Sequence, residues 1–94
     1  MEIKDNAFSR QFETTVDGKM LSIEYSMQDK KIFLTKINVP DTIENAEFVD
    51  AFLRNVLDIA ENKKFKVVPT HPKVAAFIRK NPSYKSLLPP GIRL

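Results

Sequence analysis

The sequence predicts a small α/β (α+β) domain made of three antiparallel strands, a crossover helix, a fourth strand parallel to its neighbour, and a short second helix. Three observations carry that reading. Apolar and polar residues alternate over residues 20–27, apolar residues recur at spacings of three and four over residues 43–62, and Val67-Val68-Pro69 leads through a tight turn into a second helical pattern. A period of two belongs to a strand with one wet face, and a period of three to four to a helix buried along one stripe.

The first strand is expected over residues 8–16, bracketed by Phe8, Phe12 and Val16. It ends at Asp17-Gly18, a dipeptide that tolerates the positive φ of a tight hairpin. In the second strand Leu21, Ile23 and Tyr25 alternate with Ser22, Glu24 and Ser26. Gln28-Asp29-Lys30 supplies the next turn, and residues 31–39 read as a third strand, with Ile32, Leu34 and Lys36 on one face and Phe33, Thr35 and Ile37 on the other. Apolar residues on both faces predict a central strand covered on each side.

Pro40-Asp41-Thr42 switches the period. Ala46, Val49, Phe52, Leu53, Val56, Leu57 and Ala60 form the buried stripe of a helix, with Asp41 as N-cap, Glu44 three residues on, and Lys63 and Lys64 at the negative end. Residues 65–69 make the fourth strand, and a strand-helix-strand connection of this length favours a parallel, right-handed crossover. His71 then stands at the N-cap of the second helix, with Pro72 in its first turn, where proline is tolerated. Val74, Ala75, Phe77 and Ile78 give that helix an apolar face, and Asn81-Pro82 ends it, because a residue before proline avoids the α region. Residues 86–94 are expected to be an irregular tail, since Pro89 and Pro90 interrupt regular structure.

Ninety-four residues hold one domain, spanning 1–94, with one core that buries about 60 to 65 % of the unfolded surface. The chain has no cysteine and one histidine, which excludes disulfides, thiolate ligands and a cysteine nucleophile and predicts no metal site. No apolar run approaches the ~20 residues of a membrane span. The start also lacks the apolar segment of a secretory signal, so a cytoplasmic protein with no membrane partner is expected. Charge is unevenly placed. Residues 1–60 carry seven Lys/Arg against eleven Asp/Glu, whereas residues 61–94 carry eight against Glu61 alone. Solvated lysines explain such a run, and so does a surface facing phosphate. Nucleic acid as partner is disfavoured, because no helix-turn-helix, zinc-finger or aromatic RNA-binding signature accompanies the charge.

The stretch KVVPTHPKVAAFIRKNPSY, residues 66–84, resembles the small single-domain relatives of the GNAT N-acetyltransferases. Residues 12–18, FETTVDG, are similar to their aromatic-rich first hairpin, and Val39-Pro40 to the end of their central strand. The resemblance implies the GNAT fold, acetyl-CoA as cofactor and an amine as acceptor. It implies acetyl-CoA contacts at Val39, Asn45, Lys73 and Arg79, and catalytic roles for His71, standing where the subgroup has cysteine, and Tyr84, as acid for the leaving thiolate. The subgroup's histidine and glutamate before valine-proline correspond here to Lys36 and Asn38.

One segment departs from the family's pattern. GNAT proteins place a glycine-rich turn at the start of the central helix so that backbone N–H groups approach the pyrophosphate. Here the stretch is Ile43-Glu44-Asn45-Ala46-Glu47-Phe48-Val49-Asp50, without glycine. Acidic residues there stabilise the helix by about 0.3 to 1 kcal/mol each, whereas each would oppose a phosphate ~5 Å away by about 3 kcal/mol at an effective dielectric of 20. Two function classes follow. One is an acetyl-CoA-dependent N-acetyltransferase that uses the Lys63, Lys64, Lys73, Arg79 and Lys80 surface; the other is a noncatalytic module on the same scaffold, binding a protein partner. The apolar tail is a candidate homodimer contact or a lid on the core.

Overall fold

The computed structural model describes residues 1–40 and 46–94. A five-stranded sheet in sequence order is built from β1 (Lys4–Asn6), β2 (Gln11–Val16), β3 (Lys19–Gln28), β4 (Lys31–Asn38) and β5 (Lys66–Val68). The first four are antiparallel and β5 runs parallel to β4. Helix α1 (Ala46–Asn62) makes the crossover, α2 (Pro72–Lys80) follows β5, and a 3-10 turn covers Pro82–Leu87. The expected fold is therefore present, with one edge strand more than the sequence predicts. Phe8 does not belong to a strand; it sits in the β1–β2 turn, fully exposed.

The core forms where the α1 stripe meets the inner face of the sheet. Phe52, Leu53, Val56, Leu57 and Ala60 are all buried with Phe12, Leu21, Ile23, Ile32, Leu34 and Val67, and Val74, Phe77 and Ile78 of α2 close the cluster. The pairing register places the polar residues Glu13, Ser22 and Asn38 in a row across β2, β3 and β4, one position off the buried residues and so on the other face. Asn38 Nδ2 donates to Ser22 Oγ at 3.2 Å and to Glu24 Oε2 at 2.9 Å. Glu13 accepts from the side-chain amides of Asn6 and Gln11, which holds its carboxyl below the usual range.

A bulge corrects the expected faces of β4. Glu24 pairs with Lys36 but Tyr25 pairs with Leu34, so Thr35 is the extra residue. Beyond it the alternation inverts. Ile37 lies opposite buried Ile23 and packs on the core, while Lys36 is exposed. The upper part of β4 thus keeps its apolar residue inward, and the strand is not apolar on both faces as predicted.

α1 ends in a Schellman motif. Lys64 has φ 61, Lys64 N–H donates to Glu61 O at 3.0 Å, and Phe65 N–H donates to Ala60 O at 2.9 Å, the paired bonds that satisfy a helix's last carbonyls. A lysine occupies a conformation that glycine adopts without cost. The expected N-cap, Asp41, lies outside the described residues. Near the same end of the helix, the Tyr25 ring lies 4.9 Å from Phe12, its hydroxyl donates to Asp5 Oδ1 at 2.6 Å, and Lys63 Nζ stands 3.7 Å from Asp5 Oδ2. Asp5 so joins β1, β3 and the end of α1.

Two consequences are measurable. Replacing Lys64 with Gly relieves a left-handed strain of about 1 kcal/mol, so the melting temperature should rise by about 4 to 8 °C; no rise would mean that the lysine side chain compensates. Burial first, and the bond to Asp5 second, push the Tyr25 hydroxyl up to about 12 from 10.0. In the unfolded chain that hydroxyl ionises first, so its stabilisation is complete below pH 10 and is lost as pH rises from 10 towards about 12. Denaturant titrations across that window should show a shallower fall in Tyr25→Phe than in the parent.

Candidate functional site

The residues that the sequence singles out fall just past the end of β4, near the start of α1, and on and just after α2. A shallow cleft of about 390 Å³ is lined by Met20, Ile37, Asn38, Val39 and Pro40. The bulge at Thr35 determines which side chains border it, because it turns Ile37 to the core and leaves Asn38 on the outer face beside Ser22 and Glu24. Val39, half-buried and packed on the core, is therefore at the cleft. Asn45 lies outside the described residues.

α1 begins with Glu47 and Phe48 exposed and Val49 packed inward. Both glycines of the chain, Gly18 and Gly91, are elsewhere, at φ 75 and φ 92. The helix start therefore presents side chains, one of them a carboxylate in the first turn, where positive dipole charge attracts anions.

The loop after β5 is pinned to β4. Thr70 Oγ1 donates to Leu34 O at 2.7 Å, and His71 N–H donates to the same carbonyl at 3.2 Å. His71 caps α2 as its position predicts, with φ −87 and ψ 133, and its Nδ1 accepts from Lys73 N–H at 3.1 Å. A backbone N–H can only donate, so Nδ1 contributes its lone pair and a neutral ring carries its proton on Nε2. In this arrangement neither nitrogen has a lone pair to offer a substrate amine.

Tyr84 stands at the other end of α2, in the 3-10 turn. Its hydroxyl donates to Asp58 Oδ1 at 3.1 Å and its ring lies 5.8 Å from Phe77, over which Arg54 also sits. Burial, and then the bond to Asp58, raise the hydroxyl above the usual tyrosine range. The nine residues of α2 lie between it and His71 in the chain, and the two expected catalytic residues bond to different partners, Tyr84 to Asp58 and His71 to the Lys73 N–H. Lys73 and Arg79 are exposed on α2. Lys63 and Lys64 follow the last turn of α1, about 25 Å along the axis from its start, and cannot share a site with the cleft. Among the described residues no group of three or more His, Cys, Asp or Glu could hold a metal ion.

Sequence reasoning missed Thr70 as the anchor of α2, Asp58 as partner of Tyr84, and the Ser22-Glu24-Asn38 cluster. The polar alternation of β3 was the available signal for the last; the other two are contacts between residues far apart in the chain.

The family described as GCN5-related N-acetyl-transferase matches residues 11–87. The chain belongs to this family. A GCN5-like protein from Staphylococcus aureus, solved in solution by NMR, shares the fold with a TM-score of 0.73, at 20% identity, over 98% of this chain and 90% of that one. No curated protein matches. The GNAT-like scaffold is thus established for a small member of the family, as residues 66–84 indicate.

As an N-cap, His71 should be worth about 1 kcal/mol. His71→Ala is expected to lose that much in urea unfolding and His71→Asn, which can still cap, to keep most of it. Equal losses in both variants would show that the ring packs and does not cap.

Proposed function

We propose that this chain is a noncatalytic member of the GNAT family, a GNAT-like domain that holds acetyl-CoA weakly or not at all and works by binding a protein partner. The glycine-free, acidic start of α1 carries the proposal. Where a pyrophosphate would need bare backbone N–H groups, the chain has Asn45, Glu47 and Val49, with Glu47 exposed in the first turn. One carboxylate ~5 Å from a phosphate opposes it by about 1 kcal/mol in water and about 3 kcal/mol at an effective dielectric of 20. That is a large share of the about 8 kcal/mol in a micromolar complex.

The remaining chemistry agrees. Acetyl transfer from a thioester to an amine needs a base for the amine and an acid for the thiolate. Lys36 is exposed on the outer face of β4 opposite Glu24, Asn38 donates to Ser22 and Glu24, and His71 caps a helix. Tyr84 gives its proton to a hydrogen bond with Asp58. A second reading, an acetyl-CoA-dependent N-acetyltransferase, is favoured by the family match over residues 11–87 and by the cleft at Val39. Under it Val39 and Asn45 line the acyl-CoA and Lys73 and Arg79 meet its phosphates.

Calorimetric titration of the purified domain with acetyl-CoA separates the two. Weak or absent heat is expected; a dissociation constant in the low micromolar range would sink the noncatalytic reading. Exchanging Glu47 for Gly should strengthen whatever binding is present by about fivefold or more, since removing the carboxylate returns at least about 1 kcal/mol. An unchanged constant would place the phosphates away from α1.

A further inference from the structure

The end of the molecule opposite the cleft combines cations from three separate segments with a fully exposed aromatic ring. Lys30 lies in the β3–β4 turn, and Lys31 pairs directly with Lys66 across β4 and β5. Lys66 N–H donates to Lys30 O at 2.9 Å, and Lys64 stands in the loop just before it. Arg10 closes the β1–β2 turn, where its carbonyl accepts from Tyr25 N–H at 2.9 Å. With Lys63, six cations face the carboxylates of Asp5, Asp29 and Glu61, and Asp5 is already paired with Lys63. Like charges directly opposite in a sheet repel each other; Lys66 Nζ is held by the Ser86 carbonyl at 3.0 Å, and an external anion beside Lys31 offsets the remaining repulsion.

Phe8 is the second observation. It is 100% exposed at the tip of the turn that Arg10 closes, and Met27, 41% exposed, borders the small cavity of about 250 Å³ that Ala7, Arg10 and Tyr25 also line. A phenylalanine without protein contact forfeits roughly 1.5 to 3 kcal/mol of burial.

We propose that this end is a docking surface for an anionic lipid membrane, with Phe8 entering the interface and Arg10, Lys30, Lys31, Lys64 and Lys66 meeting the headgroups. Charge and apolar insertion together supply the two signals that stable peripheral binding requires. The shape favours a lipid surface over a nucleic acid. The cations sit on turns and strand ends, whereas a strand of nucleic acid is tracked by a charged groove with several stacking aromatics, and among the described residues the other exposed ring, Phe48, belongs to the first turn of α1 at the opposite end of that helix. No helix among them is long and apolar enough to cross a membrane, so the contact is peripheral. It is independent of acetyl-CoA, because α1 separates this end from the cleft by about 25 Å.

Co-sedimentation with vesicles of phosphatidylcholine, with and without phosphatidylserine, tests it on the full chain. Binding should require phosphatidylserine and weaken in high salt. Lys30→Gln with Lys31→Gln should reduce the partition coefficient about 25-fold, at about fivefold per lysine, and Phe8→Ser should reduce it about tenfold or more. Both changes lie at an exposed end, and circular dichroism verifies folding; Lys19→Gln, at the opposite end of β3, should bind as the parent does. Absence of binding, binding indifferent to phosphatidylserine, equal binding by all variants, or tighter binding to single-stranded RNA or duplex DNA than to the vesicles would each overturn the proposal.

Discussion

β4 carries two kinds of pairing at once, and the rest of the domain is arranged around it. It is antiparallel to β3 along nearly its whole length and parallel to β5 for three residues, from Lys31 to Phe33. Above Phe33 the β5 side of β4 is no longer strand-paired, and the Leu34 carbonyl is taken by Thr70 and His71. The Leu34 side chain is fully buried under the helices. One residue therefore ends the parallel ladder, anchors the start of α2 and contributes to the core. A buried carbonyl left without those donors would cost about 1 to 3 kcal/mol, so the Thr70-His71 turn and the short β5 depend on each other.

How much of this is legible in the sequence depends on whether a feature is set by its own residues or by distant ones. The α1 stripe and the His71 cap are local: spacing determines the one, and proline at the first turn with a polar residue before it determines the other. β1 is not local. Lys4-Asp5-Asn6 has no apolar alternation, and it is a strand because it pairs with Gln11, Phe12 and Glu13 and because Asp5 receives Tyr25 and Lys63. Phe8 reads as core beside Phe12 and Val16 only if the strand begins early; the turn that β1 requires moves it into water. The bulge at Thr35 leaves no composition signal, and it inverted the expected faces of Lys36 and Ile37.

In the candidate site the same division holds. Val39 borders the cleft just beyond the end of β4, where the following proline interrupts the ladder. His71 was placed correctly as a cap, and the bond from Lys73 to its Nδ1, which the sequence does not announce, is what bears on its use as a base. Tyr84 follows α2 as expected, yet its partner is Asp58 from the last part of α1. That pairing, with Phe77 and Arg54 beside it, fastens the 3-10 turn to the helix layer, a structural task that needs the proton kept on the hydroxyl.

The charges on α1 link the two ends of the molecule. A helix gains about 0.3 to 1 kcal/mol from each acid near its start and each cation near its end, and this one has Glu47 in its first turn and Lys63 and Lys64 just past its last. Both choices satisfy the helix. At the start they also oppose the phosphate that a glycine-rich turn would welcome, and at the end they add to Lys30, Lys31 and Lys66. On the proposed reading, the helix that lacks a glycine-rich turn at its acidic start carries its anion-attracting lysines just past its end.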